Sequence, residues 1–314
     1  MSNFVVSATP HVRSHETVQG IMRDVIIALL PATVMGIFYF KIKALIIIAI
    51  SVISAVIFEY LCQKVTKQKV TIDDLSAVVT GLLLALNMPV DAPYWMPVVG
   101  SAFAIIIAKQ VFGGLGQNFI NPALAARAFL LASYPTAMTT WSFDGVTTAT
   151  PLALLKTGEF VPTSADYMSA FLGNIGGCIG ETSAIALILG GLYLLFRKVI
   201  TWRIPVVYIL TVAILTGILG RNGLKVPIYE ILTGGLLLGA FFMATDYASS
   251  PVTAKGQIIM AFGCGLITSL IRIYGGYPEG VSYSILIMNL CVPLIDRYTK
   301  DKIFGAKPKE AKNI

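Results

Sequence analysis

Apolar residues in this chain gather into long, nearly uninterrupted runs separated by short polar stretches, unlike the one-faced helices and alternating strands of a water-soluble core. A helix crossing a bilayer needs about 20 mainly apolar residues, fewer where flanking side chains snorkel or the segment re-enters. On that basis the pattern predicts ten helical spans, in two sets of five. The first set runs roughly Val25–Phe40, Ala44–Leu61, Leu75–Met88, Met96–Phe112 and Phe119–Tyr134. The second runs Thr182–Phe196, Ile204–Leu219, Ile228–Met243, Gln257–Ile273 and Tyr283–Ile295. Between them lies a polar stretch of about 45 residues, long enough to be a functional or domain-joining loop. The organisation is thus an N-terminal arm (1–24), a first five-helix unit (25–134), a loop (135–181), a second five-helix unit (182–296) and a basic tail (297–314).

The third and eighth segments look alike. One reads V-T-I-D-D-L-S-A-V-V-T-G-L-L-L from Val70, the other V-P-I-Y-E-I-L-T-G-G-L-L-L from Val226. Each sets an acid, Asp74 or Glu230, before Thr-Gly and a leucine triplet, and each ends in a polar break, Asn87-Met88-Pro89 or Thr245-Asp246. A fainter echo joins the first and sixth segments. Matches in the same order favour a duplicated unit over chance likeness between leucine-rich helices. A copy with an odd number of spans inserts upside down, which makes the expected fold an all-α polytopic membrane protein of two inverted five-helix repeats.

Composition supports the bilayer and charge orients the chain in it. Hydrophobic residues make up 56% and charged residues 12%, about half the usual share in soluble domains. Counting basic residues with the N-terminus inside puts sixteen on the cytoplasmic side, Lys109 among them, and six outside, including Arg272. The positive-inside rule then expects both termini in the cytoplasm and the 135–181 loop outside. Met1 to Gly20 is polar and lacks the apolar core of a secretory signal, so the first span is expected to stay uncleaved. Cys62, Cys178, Cys264 and Cys291 are scattered and form no Cys-x-x-Cys pair, which argues against a zinc or iron–sulfur site made by this chain alone. His11 and His15 are the only histidines, so no histidine relay crosses the membrane. Nothing points to a nucleic-acid partner; the expected surroundings are membrane lipid.

Three polar or glycine-rich stretches are candidates for chemistry. F-G-G-L-G-Q-N-F-I-N-P, Phe112 to Pro122, supplies Asn118 and Asn121 as amide donors and acceptors, while its glycines fit either a close ligand approach or tight helix packing. M-A-T-D-Y-A-S-S-P, Met243 to Pro251, puts Asp246 at the end of a span, as a solvated helix terminus or as part of an ion path. D-G-V-T-T-A-T-P, Asp144 to Pro151, reads on composition as a turn at Asp144-Gly145 followed by a threonine cap and an early-helix proline.

With these stretches in view, the chain resembles, end to end, the family of membrane proteins that includes the D-type subunit of the Rnf electron-transport complex and the B-type subunit of the sodium-translocating NADH:quinone reductase. The resemblance runs from S-A-T-P-H-V-R-S through the three stretches above to Ile285–Asp296. It implies a fold similar to urea and ammonium transporters. It also implies FMN joined through its phosphate to a threonine by a flavin transferase that uses FAD. The family pattern, Ser/Thr-Gly-Ala-Thr, falls on Thr147-Thr148-Ala149-Thr150, so the acceptor carries over to Thr150; Thr148 stands where glycine is usual, which keeps Thr147 and Thr148 as alternative acceptors. The implied function is a membrane subunit of an ion-motive ferredoxin:NAD oxidoreductase in the bacterial inner membrane, relaying electrons through flavin and coupling them to Na⁺ or H⁺ movement. Its implied partners are the C-, G-, A-, E- and B-type subunits of the Rnf complex. A second, noncovalent flavin (riboflavin or FMN) and the choice of ion stay open. The rival reading is a stand-alone transporter or channel for a small polar solute, which has no use for the threonine motif.

Overall fold

The computed structural model describes residues 16–143, 146–158, 160–220 and 226–300. Helix α1 (Val18–Val65) starts at Thr17, whose hydroxyl accepts from the Gly20 amide. It is two rods, because Lys41 leaves the helical region at φ 58° and ψ −142°. That break falls between the first two expected spans. A 3-10 turn at Ile72–Asp74 then leads into α2 (Ser76–Leu86), where the Asp74 carboxylate accepts from the Ser76 amide at 2.8 Å and its hydroxyl at 2.6 Å. Helix α3 (Trp95–Ala102) widens into a π-helical turn at Phe103–Ile107. Helix α4 (Pro122–Ser133) is capped by Asn121, which accepts from the amides of Ala123 and Leu124, and has Pro122 where its missing N–H costs nothing.

The central loop is built, not open. It holds α5 (Pro135–Met138), a ribbon of β1 (Ser142–Phe143) and β2 (Val146–Thr147), α6 (Pro151–Thr157) and α7 (Ser164–Leu172). The ribbon is antiparallel, with Ser142 opposite Thr147. Leu152, Leu155 and Ala170 from this region bury against Tyr229. The second half continues with α8 (Ala184–Phe196), α9 (Arg203–Leu219), α10 (Pro227–Leu232), α11 (Leu236–Leu238), α12 (Ala254–Tyr274) and α13 (Val281–Thr299).

The expected eighth span, Ile228–Met243, is not one helix. Thr233 is extended, Gly234 sits at φ 71°, and the chain resumes as α11 and a π-helical turn over Gly239–Met243. The related Thr80-Gly81 run stays helical within α2, where Gly81 approaches Ser51 of α1 so closely that an added Cβ would lie 2.9 Å from its carbonyl oxygen. Among the described residues, three helical regions, Val18–Val65, Trp95–Phe112 and Ala254–Tyr274, are long and apolar enough to cross a membrane. Helices α2, α4, α8 and α9 are apolar but shorter. One continuous core runs from Ala28 to Ile295, so the two halves share it. Large apolar side chains also cover the outside: Phe38, Phe196 and Ile218 are 72%, 85% and 64% exposed. An apolar core beneath an apolar surface is what a lipid solvent requires.

Candidate functional site

Two cavities lie at opposite ends of α4, and the expected site residues divide between them. Asn121, Pro122 and Ala123 line the first cavity, of about 250 Å³, while Arg127 and Leu131 line the second, of about 410 Å³. From Pro122 to Leu131 the helix rises about 13 Å.

Asn118, Asn121 and Asp246 meet at the first cavity, together with Lys109. The Asn118 amide donates to Asp246 at 3.3 Å and the Ser249 hydroxyl donates to the same oxygen at 2.8 Å. Asn121 ties the start of α4 to the end of the broken segment, donating to the Met243 carbonyl at 3.2 Å. Asp246 is therefore half-buried and held by neutral donors on a cavity wall, not a free charge in a loop. These asparagines do not join Thr150 in one site.

Thr150 belongs to the second cavity. It caps α6, accepting from the Ala153 amide at 3.2 Å, with Pro151 in the first helical position, as the turn reading of D-G-V-T-T-A-T-P expects. Thr148, Thr150, Trp141, Tyr277, Tyr283 and Arg127 share the cavity wall. Thr150 is 4% exposed, while Thr148 and Ala149 are exposed. Asp144 and Gly145 lie outside the described residues, and Thr147 is described only through its backbone. The ribbon is anchored by Ser142, whose hydroxyl donates to Asp91, and Asp91 also pairs with Lys43 at 2.8 Å. Partial burial pushes the Asp91 carboxyl up, but the hydrogen bonds from Lys43 and Ser142 outweigh it and hold the group below the usual carboxylate range.

Three buried charge clusters escape a reading by loops. Lys109 and Arg272, counted as loop charges on opposite sides, are 2% and 0% exposed. Lys109 Nζ donates to both Glu59 oxygens, at 2.8 and 2.9 Å, and to Ser76 at 2.6 Å, and Gln110 adds a 2.9 Å bond to Glu59. Arg272 faces Glu230 at 3.7 Å and donates to its backbone carbonyl at 2.6 Å. At the second cavity Arg127 bridges Glu181 at 3.1 Å and Glu279 at 2.5 Å, and donates to Asn87 at 2.8 Å. The available signal was an ionisable residue inside an apolar run, as in A-V-I-F-E-Y, I-I-A-K-Q and L-A-A-R-A-F.

The family described as NQR2, RnfD, RnfE matches residues 5–305, nearly the whole chain. The chain belongs to this family. It is 58% identical to the D subunit of the Na⁺-translocating ferredoxin:NAD⁺ oxidoreductase complex of Acetobacterium woodii, over 99% of this chain and 98% of that one. It is 51% identical to the D subunit of the proton-translocating ferredoxin:NAD⁺ oxidoreductase complex of Clostridium ljungdahlii, over 97% of each. It is also 34% identical to the D subunit of the ion-translocating oxidoreductase complex of Yersinia enterocolitica, over 96% of this chain and 98% of that one. The resemblance read from the motifs is thereby established, and these relatives are named as subunits of an oxidoreductase complex.

Proposed function

We propose that the chain is a membrane subunit of an ion-translocating ferredoxin:NAD⁺ oxidoreductase complex and carries FMN in phosphodiester linkage to Thr150. The observation that carries this reading is the placement of Thr150 in the wall of a 410 Å³ cavity beside Trp141, Tyr277, Tyr283 and Arg127. The volume lies within the range of about 300–1,000 Å³ typical of cofactor pockets. Aromatic rings suit the flat faces of an isoalloxazine, and a guanidinium suits its carbonyls and the phosphodiester. When bound, the flavin supplies one- and two-electron redox chemistry.

The chain's own groups position and shield. Pro151 and the α6 cap fix the Thr150 backbone, and Ser142 and Asp91 pin the ribbon beside it. Because Thr150 is 4% exposed, the transferase acts on a segment lifted from the cavity wall. In this reading the helices form ten spans in two inverted five-helix units. Both termini are cytoplasmic, the 135–181 loop is outside, and the Thr150 cavity opens outward. The first cavity then faces inward and is the place for a noncovalent flavin, with Asp246 beside an ion path. The partners are the other subunits of the complex. The test is the mass of the purified chain and of its 141–158 peptide: FMN joined with loss of water adds about 438 Da. A peptide without that mass would sink the reading.

A further inference from the structure

Thr150 sits on a segment whose apolar anchor is separate from the main core. Leu152 and Leu155 of α6 are 1% and 0% exposed, and they form a small cluster with Ala170 and Tyr229 apart from the core that the two halves share. Lys156, in the next turn, donates to the carbonyls of Gly275 and Gly276. The Thr150 hydroxyl accepts from the Ala153 amide within the same segment, so this bond moves with α6 and does not fasten it. A satellite cluster of this kind can open while the main core stays closed.

The seat for that anchor is the break in the eighth segment. Gly234 takes φ 71°, and a Cβ built there would lie 2.5 Å from Leu152 Cδ1, so glycine alone fits opposite the leucine. The related Thr80-Gly81 run stays helical and packs against α1. What distinguishes the second copy is thus a notch filled by the segment that carries Thr150. Leu152 stands two residues after Thr150, across Pro151, whose ring restrains the backbone between them. Seating Leu152 therefore fixes where Thr150 lies, and Thr150, Leu152 and Gly234 line one small void.

We propose that Leu152, seated against Gly234, is the positioning residue for Thr150: seated, it buries the hydroxyl in the cavity wall, and released, it presents the hydroxyl to the flavin transferase. This rests on the flavin assignment above. The flavin is attached in the released state, because a hydroxyl on a residue 4% exposed is out of reach of another enzyme's active site. In that step the Thr150 oxygen bonds to the FMN-side phosphorus of FAD and the pyrophosphate P–O bond breaks. AMP leaves with the oxygen of the broken bond, and the hydroxyl proton passes to water. No electron changes hands. Reseating Leu152 then returns the modified residue to the cavity beside Trp141, Tyr277 and Tyr283.

The test uses the full-length chain purified in detergent without the transferase. In a Thr150→Cys chain, maleimide labelling of the 141–158 peptide, which holds no other cysteine, reads release directly and needs no flavin. Adding Leu152→Ala should speed that labelling by about tenfold or more, since emptying a buried leucine site favours the released state. Leu152→Met, which refills the seat, should keep it slow. Buried Cys264 on α12 reports on the main core and should stay protected throughout. With Thr150 in place, transferase and FAD should add the flavin mass to Leu152→Ala faster than to wild type by a similar factor. Equal labelling with and without Leu152→Ala, or a rise that Cys264 shares, would overturn the proposal. So would equal rates of flavin addition. Absence of the added mass from every chain would overturn the flavin assignment and the transferase step with it, and the labelling distinguishes that failure from a failure of the seat.

Discussion

The two ends of α4 solve the problem of burying charge differently. Near the first cavity, Lys109 meets a single carboxylate, Glu59, through both of its oxygens, and Gln110 and Ser76 take up remaining hydrogen-bonding capacity. One cation faces one carboxylate directly, and the Ser76 hydroxyl passes the contact on by donating to Asp74. At the second cavity, Arg127 divides its guanidinium between two carboxylates, Glu181 and Glu279. The difference leaves two carboxylates sharing one guanidinium beside the Thr150 cavity. At the first cavity Asp246 is held by Asn118 and Ser249, with Lys109 on the same cavity wall.

The sharpest break of this comparison is Thr150→Ala. It should abolish the added mass of about 438 Da completely, while Thr148→Ala retains it, as read by mass spectrometry of the 141–158 peptide. Retention in Thr150→Ala would move the acceptor to Thr147 or Thr148.

Next in size is the energetic contrast between the clusters. Lys109→Met strands Glu59 in an apolar interior and should cost about 3–5 kcal/mol, read as a lowered unfolding midpoint in detergent. Adding Glu59→Gln to Lys109→Met should recover much of that loss, because no buried charge then lacks a partner. Arg127→Met strands two carboxylates, and adding Glu181→Gln should recover less. Equal recovery at both ends would erase the distinction between one carboxylate on a cation and two.

Asp246→Asn should leave flavin content and assembly intact and reduce ion transport severalfold in reconstituted vesicles at limiting ion concentration. Unchanged transport would remove Asp246 from the path and leave the first cavity with a binding role alone.

The smallest effect is expected at the ribbon anchor. Asp91 lies at the surface with Lys43, so Asp91→Asn should change stability by less than about 1 kcal/mol. Its carboxyl is held below the usual range, so its contribution is present above the unfolded-state value and is lost as pH falls through the lower folded value. The hydrogen-exchange protection factors of Ser142, Phe143 and residues 146–148 should be constant near neutral pH and fall only below about pH 4 in the wild type. Asp91→Asn should exchange faster already at neutral pH. Identical profiles would mean that Ser142 and Asp91 do not hold the ribbon.

Read alone, the sequence determined the lipid-facing character of the chain, the approximate places of its helices and the cap at Thr150. Each rests on local chemistry: long apolar runs, a polar break at Lys41, and a threonine followed by proline at the start of α6. Membership in the family was legible for the same reason, since the stretches Phe112–Pro122, Asp144–Pro151 and Met243–Pro251 are contiguous. Tertiary structure alone decided which of these stretches meet. Asn118 and Asn121 join Asp246 from across the chain, whereas Arg127, only six residues further along α4, joins Thr150 at the other end. Nor does a local pattern say whether Thr-Gly continues a helix, as at Thr80-Gly81, or breaks one, as at Thr233-Gly234. The first is held helical against Ser51 of α1; in the second, Gly234 takes a positive φ beside Leu152 and Arg272. Partners for buried charges are likewise a matter of packing: burial makes an unpaired charge so costly that the fold supplies counterions from distant segments, and a linear sequence records their presence but not their pairing.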